Sequence, residues 1–364
     1  MSDESFAGDV AGAGQRESTS AAGGRIFSGM QPSGEAHLGN YLGALRQWVR
    51  LQDDHECFFC IVDEHALTGE VSPEELPRRV LDMAVSFLAV GLDPERSTIF
   101  VQSDVPQHTE LAWLLNTVTP VGHLERMTQY KEKSARLDSI PAGLLNYPIL
   151  QAADILLYRA ALVPVGEDQI QHLELTREIA RKWNSRYGEF FPEPSPIMSD
   201  AGRIVGLDGS AKMSKSLGNT VGILATPEEI HARVRTAVTD PQKVRKNDPG
   251  RPEVCNVFSL HRHFTDARTT ERIDVGCRSG ELGCVECKGI LANSISEHFA
   301  EVRERAIALQ ERPGRIREIL EAGAERARAE ASATMDEVRR RMGMLWREAP
   351  DRAESFSTSD SQRS

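Results

Sequence analysis

The chain has 364 residues and a formal net charge of −11, with 43 Lys and Arg against 54 Asp and Glu. That length allows two domains and a sizeable core, and the acidic balance argues against a protein that coats nucleic acid over its whole surface. No apolar run approaches the roughly 18 residues of a membrane helix. The opening MSDESFAGDVAGAGQREST lacks the basic and apolar regions of a secretory signal. The expected compartment is the cytoplasm, where thiols stay reduced, so the six cysteines are expected to be core residues or metal ligands rather than disulfides.

Residues 1–24 and 348–364 are small, polar and charged, and are expected to be disordered tails. From Arg25 the texture changes. RIFSG reads as a short strand, followed by the turn-rich loop QPSGEAHLGN. From Asn40, apolar residues at Leu42, Leu45, Trp48, Val49 and Leu51 predict a helix. CFFCIVD and STIFVQS read as strands, separated by a helix opened by Pro73 and closed near Gly91. Helices are predicted at about 107–117, 122–136 and 143–158, then a strand at ALVPVG and a helix in EDQIQHLELTREIARKW. Apolar strands alternating with helices predict an α/β fold, a Rossmann-type parallel sheet over residues 25–218 with ligands at the C-terminal strand ends. Beyond about residue 220 the strand signals fade. Thr226 is a predicted N-cap with Pro227 at the first helical position. Residues 219–347 are expected to form a helical domain whose last helix returns to pack on the first. Within it, 301–347 holds eleven Arg against nine acids, so RNA contacts are expected there and around Lys243, Arg245 and Lys246.

Two elements have the chemistry of phosphate binding. The first is GMQPSGEAHLGNYLG, a strand-to-helix loop in which Gly39 and Asn40 let phosphate approach backbone N–H groups and His37 adds a donor. The second is Ala211-Lys212-Met213-Ser214-Lys215-Ser216, bounded by Gly209 and Gly218. Its two lysines can stabilise charge growing on a departing pyrophosphate. Each alone has a bland reading, as a packing turn and as a solvated lysine loop.

Together, in this order and separation, HLGN and KMSKS resemble the two signatures of class I aminoacyl-tRNA synthetases. IFSGMQPSG, CIVDEHALT, LLNYPILQAADILLY and LVPVGEDQIQHLELTREIA are similar to the tryptophanyl-tRNA synthetases, and the resemblance covers roughly residues 25–347. It implies a ligase that activates L-tryptophan with ATP and Mg²⁺ and transfers it to tRNA(Trp), working as a homodimer with a helical anticodon-binding domain. It implies Asp154 as acceptor of the indole N–H, Tyr147 and Gln169 on the ammonium and carboxylate, and Phe27, His65, Val163 and Val165 as walls. His65 alone reads as readily as a satisfied core residue, and Asp154 alone as a cap or ion pair. For ATP it implies Gln31, Pro32, Ser33, Gly39, Asn40, Gly166, Glu167, Asp168 and Ile204, with Lys212, Met213, Ser214, Lys215 and Ser216 on the phosphates. Gln31, His37, Asn40, Lys212 and Lys215 are the implied catalytic groups. Gln151 departs from relatives that carry Met, and predicts a polar contact beside the indole. A tyrosyl enzyme shares both signatures, and a non-catalytic tRNA-binding or redox-sensing paralogue is a third reading.

Cys57 and Cys60 resemble a C-x-x-C pair. They lie in a predicted strand, where residues three apart face opposite sides, so both are expected in the core. Cys255, Cys277, Cys284 and Cys287 sit in glycine-rich, loop-like sequence and predict a four-thiolate metal site. Zinc and a [4Fe–4S] cluster both accept such a set. The spacing resembles a cluster motif of some bacterial tryptophanyl enzymes, which implies the cluster, with Zn²⁺ as the alternative.

Overall fold

The computed structural model describes residues 23–345 apart from 136, 200, 203, 210 and 211. The expected tails therefore lie outside the described residues, save Gly23 and Gly24. Strands β1 (Arg25–Met30), β2 (Glu56–Ile61), β3 (Ser97–Val101), β4 (Leu162–Val165) and β5 (Ser195–Met198) form one sheet in the order β3-β2-β1-β4-β5. All four pairings are parallel, with Arg25 opposite Glu56 and Ile26 opposite Leu162. Strand order reverses between β1 and β4, so a crevice opens beyond Met30 and Val165, where such sheets bind ligands.

The crossovers are helical. α1 (Leu38–Asn40) runs through π-helical Tyr41–Leu45 into α2 (Arg46–Leu51). α3 (Asp63–Ala66) and α4 (Glu75–Ala89) lead to β3. α5 (Gln107–Asn116), α6 (Val121–Glu125), α7 (Thr128–Ser134) and α8 (Ala142–Leu157) lead to β4, and α9 (Ile170–Tyr187) to β5. The C-terminal part is helical, comprising α10 (Pro227–Arg235), α11 (Asn256–Phe264), α12 (Ala267–Ser279), α13 (Cys284–His298), α14 (Ala300–Gln310) and α15 (Pro313–Arg341). Thr226 caps α10 in a capping box with Glu229, Pro227 following, as its sequence predicts.

β2 shows why the sheet is covered on both faces. Cys57, Phe59 and Ile61 enter one core with Trp48 and Phe87, whereas Phe58 and Cys60 enter the other with Phe27, Phe100 and Tyr158. The C-x-x-C pair is thus split across the sheet, and burial pushes the Cys57 thiol up to about 12.

Two predictions required correction. The helix expected over 122–136 is broken into α6 and α7, because Met127 is extended (φ −61°, ψ 129°) and drives its side chain into the core. β5 was not among the expected strands. Pro196 disguises it, and is tolerated there because β5 is an edge of the sheet.

The opposite edge is closed by the last long helix, which packs on β3 and α5. α15 buries Gly323, Ala324, Ala327 and Ala331, a narrow stripe that permits close approach. A Cβ at Gly323 would lie 1.8 Å from the Ile99 carbonyl oxygen, so only glycine fits at that crossing. Arg339 fixes the far end with paired hydrogen bonds of 2.8 and 2.6 Å to Glu110.

Candidate active site

At the end of β1, residues 31–39 turn toward α1. Segment 35–38 is stapled to 221–224 by Leu38 N–H to the Val221 carbonyl (2.9 Å) and Ile223 N–H to the Ala36 carbonyl (3.0 Å). Glu35 reinforces the staple by accepting from Leu224 N–H at 2.8 Å. The first phosphate element is thereby bound to the chain leaving the second.

His37 is committed on one ring nitrogen to the helix it opens. Its Nδ1 accepts from Gly39 N–H (3.1 Å) and Asn40 N–H (3.4 Å), while Asn40 Oδ1 accepts from His37 N–H (3.1 Å). The imidazole is the N-cap of α1, and the two N–H groups expected to meet phosphate are already paired. Burial, aided by Lys215 and Lys212, lowers the His37 pKa to about 4, so the ring is neutral with Nε2–H as its donor. Gly39 is needed because a Cβ would lie 2.9 Å from His37 Cε1.

The lysine loop is shaped by Asn219, which is buried. Its Oδ1 accepts from Ser214 N–H at 2.7 Å and its Nδ2 donates to Asp208 at 3.1 Å. Met213 N–H donates to the Ile204 carbonyl at 3.1 Å, and both side chains are buried. Gly218 ends the turn in the left-handed region (φ 61°), just after Ser216 and Leu217. Lys212 Nζ lies 2.9 Å from Asp168 Oδ2, and Lys215 Nζ donates to the Ser33 carbonyl at 3.0 Å. Both lysines thus reach back to the loops after β4 and β1. The Lys212–Asp168 pair is half exposed and worth at most about 1 kcal/mol, so it is readily broken.

Behind these loops Asp154 of α8 is 2% exposed. Its Oδ1 accepts from Gln102 Nε2 (2.7 Å) and His108 Nδ1 (2.6 Å), and its Oδ2 from His65 Nε2 (2.8 Å). Burial is the largest influence and opposes ionisation, but His65 and His108 outweigh it and hold the carboxyl at about 2. Asp154 is therefore an ionised, acceptor-only group in an apolar surround. His65 answers the buried carboxylate's need for donors, and its ring meets Tyr147 edge-on at 6.5 Å. Tyr147 Oη donates to Gln129 Oε1 (3.2 Å) and lies 2.9 Å from His172 Nε2, under Lys133 at 5.1 Å from the ring centre. Phe27 stacks on Tyr158 (5.5 Å, 4°), and Val163 and Val165 are buried on the same side of the sheet.

The two halves of the site are joined. Gln31 Nε2 donates to the His65 carbonyl at 3.4 Å, and Ser33 N–H to the Gln31 carbonyl across Pro32 at 2.8 Å. On the other side, Gln151 donates to Gln169 Oε1 (3.4 Å) and Gln169 to Asp168 Oδ2 (3.3 Å), which holds Lys212. Glu167 is exposed in the same turn, and at Gly166 a Cβ would lie 2.9 Å from Asp168 Oδ1. Gln151 thus makes its polar contact with Gln169. Gln102, His108, Tyr158, Gln129, Lys133, His172, Asn219 and Glu35 were not expected. They sit between 5 and 189 residues away from what they hold, with no periodicity to mark them.

The cysteine region also differs from its expected form. Cys255 is the N-cap of α11, Cys277 lies in the last turns of α12, Cys284 opens α13 and Cys287 follows one turn on. These are helix ends rather than loops, with Gly280 (φ 80°) closing α12. Burial, then Cys255, Cys277 and Cys284, push the Cys287 thiol up to about 12. A Cβ at Gly250 would lie 2.5 Å from Cys277 Sγ, so glycine is needed beside that thiol. Among the described residues, however, no group of three or more His, Cys, Asp and Glu is arranged to hold a metal ion.

A parallel sheet with its ligand crevice at the strand reversal, two phosphate loops stapled together and two lysines bridging the crevice define a class I aminoacyl-tRNA synthetase. The family described as tRNA synthetases class I (W and Y) matches residues 21–300, and the chain belongs to it. The tryptophan–tRNA ligase of Deinococcus radiodurans is 51% identical over 326 residues, covering 88% of this chain and 99% of that one. The tryptophan–tRNA ligase of Thermotoga maritima is 43% identical over 328 residues, covering 88% and 100%. Tryptophanyl-tRNA synthetase from Campylobacter jejuni, solved with ADP and tryptophan, superposes with a TM-score of 0.79 at 38% identity, covering 88% of this chain and 99% of that one.

Proposed function

We propose that this chain is a cytoplasmic tryptophan–tRNA ligase. The observation that carries this is Asp154, an ionised buried carboxylate with three donors and one acceptor position to spare, set behind two ATP loops. The indole N–H of tryptophan fills that position, between Phe27, Val163, Val165 and His65. Tyr147 and Gln169 meet the ammonium and carboxylate. ATP lies over Gln31, Pro32, Ser33, Gly39 and Asn40, reaching Gly166, Glu167 and Asp168, with Ile204 against adenine and 212–216 on the phosphates.

A carboxylate oxygen of tryptophan attacks the α-phosphorus, the bond to the bridging oxygen breaks, and pyrophosphate leaves with its negative charge beside Lys212 and Lys215. No protein nucleophile is required; alignment and charge stabilisation supply the rate. When bound, Mg²⁺ neutralises phosphate charge. The 2′-hydroxyl of the terminal tRNA ribose then attacks the acyl carbon and AMP departs. His37 Nε2–H remains to face phosphate, since Nδ1 is committed to the helix. Charging tests the whole reading: with ATP, Mg²⁺, tryptophan and tRNA(Trp) the enzyme yields tryptophanyl-tRNA, and a chain that binds tRNA without charging it is the non-catalytic alternative.

Residues 25–218 serve as the catalytic domain and 219–347 as the anticodon-binding domain, in a homodimer. Trp113, 70% exposed on α5, is a side chain that a partner would cover. Cys255, Cys277, Cys284 and Cys287 are proposed to hold a [4Fe–4S] cluster. Their spacing in the sequence and their placement at the ends of the adjoining helices α11, α12 and α13 support this reading, and binding would draw the thiols together and deprotonate them. Its role would be structural support of the anticodon domain or contact with the tRNA anticodon. Anaerobically purified protein is expected to carry iron and acid-labile sulfide and to absorb near 400 nm. Zinc without sulfide identifies the alternative. Cys284→Ser is expected to lose the metal and weaken tRNA binding or fold stability while keeping pyrophosphate exchange.

A further inference from the structure

The proposed indole acceptor does not hold itself in place. A carboxylate offers about four lone-pair positions, two on each oxygen. On Asp154, Gln102 and His108 fill both positions of Oδ1, and His65 fills one of Oδ2. His108 is fully buried and makes two hydrogen bonds, Nδ1 to Asp154 Oδ1 at 2.6 Å and Nε2 to Tyr158 Oη at 2.8 Å. An ionised carboxylate only accepts, so Nδ1 carries a proton, and Nε2 is paired with the Tyr158 hydroxyl. Tyr158 is fixed in turn by stacking on Phe58 (4.6 Å, 23°) and on Phe27 (5.5 Å, 4°), the proposed indole wall. The relay Tyr158–His108–Asp154 therefore starts at the wall of the pocket and ends at its acceptor.

We propose that His108 is a positioning residue for tryptophan selection, which saturates Asp154 Oδ1 and so leaves Oδ2 as the one oxygen with an acceptor position for the substrate N–H. This rests on the reading of Asp154 as indole acceptor. Without His108, Oδ1 regains a free lone pair and the carboxylate loses one of two anchors on that oxygen. It can rotate or recruit water, and the indole N–H loses its advantage over a substrate without one. Asparagine at 108 can present an amide N–H where Nδ1–H stands, whereas leucine cannot.

The test compares tryptophan with benzothienylalanine, in which sulfur replaces the indole N–H, by kcat/KM in pyrophosphate exchange. In His108→Leu the preference for tryptophan is expected to fall about tenfold or more, the loss of an anchoring hydrogen bond to a charged group. KM for ATP is expected to be unchanged, and His108→Asn to restore most of the preference. Tyr158→Phe, which keeps the rings but frees Nε2, is expected to lower it as well, and decides the matter if His108→Leu does not fold. A merely structural role would slow both substrates alike and leave their ratio unchanged, which overturns the proposal. Asp154→Asn separates the levels. If it keeps the wild-type ratio, the acceptor reading itself fails; if it loses the ratio while folded His108→Leu keeps it, only the role of His108 fails.

Discussion

Asp154→Asn is expected to lower kcat/KM for tryptophan by roughly a hundredfold or more, with little change in KM for ATP. The side chain keeps its volume, but three N–H donors from Gln102, His108 and His65 converge on it. An amide offers one acceptor oxygen and an NH₂ group, so at least one donor faces another donor. Removing one partner from a buried charged network costs about 3–5 kcal/mol, shared between stability and substrate binding. Steady-state exchange kinetics with tryptophan and ATP varied separately check this. The same group predicts acid sensitivity. Its carboxyl stands at about 2 in the fold against an ordinary value of 3.8. A depressed acid stabilises the fold above its unfolded pKa and loses that stabilisation as pH falls, here from about pH 4 through about pH 2. Urea midpoints measured between pH 5 and pH 2 are expected to fall more steeply for the wild type than for Asp154→Asn.

Lys215→Ala is expected to reduce kcat of adenylate formation by roughly a hundredfold, the magnitude typical of losing one donor to developing charge. KM for ATP is expected to move far less. The lysine is a bridge as well as a charge: its Nζ donates to the Ser33 carbonyl at 3.0 Å, joining the loop after β1 to the lysine loop. Lys212→Ala removes only a half-exposed pair with Asp168, so it is expected to be equally slow yet as stable as the wild type. Burst kinetics of pyrophosphate release and thermal midpoints distinguish the two effects. Equal kcat in either alanine variant contradicts the role of the lysine loop.

What sequence could show here was local. Alternation in CFFCIVD separates Cys57 from Cys60 across the sheet, and Thr226 with Pro227 marks the start of α10. The two phosphate loops were legible because each is a contiguous run of small and charged residues. Failures came where tertiary contacts override local pattern. Met127 breaks a helical run to reach the core, and Pro196 sits in a strand because that strand is an edge. His37 has the chemistry of a phosphate donor, but its geometry spends Nδ1 on the N-terminus of α1. The support of Asp154 could not be read at all. Its partners come from the turn after β2, the end of β3 and α5, between 46 and 89 residues away. Likewise the cysteines read as loops because glycine dominates their surroundings, whereas Gly280 and Gly283 are the ends of two helices.

Asp154 and the two lysines are proposed to serve tryptophan activation. ATP–pyrophosphate exchange, run on the full chain with tryptophan and then with tyrosine, tests it most directly. A site that offers a buried carboxylate to an indole N–H between apolar walls predicts exchange with tryptophan and, at equal concentration, a much lower rate with tyrosine, whose smaller ring leaves the indole space unfilled. Equal exchange with both amino acids, or none with tryptophan from a folded protein, would contradict it.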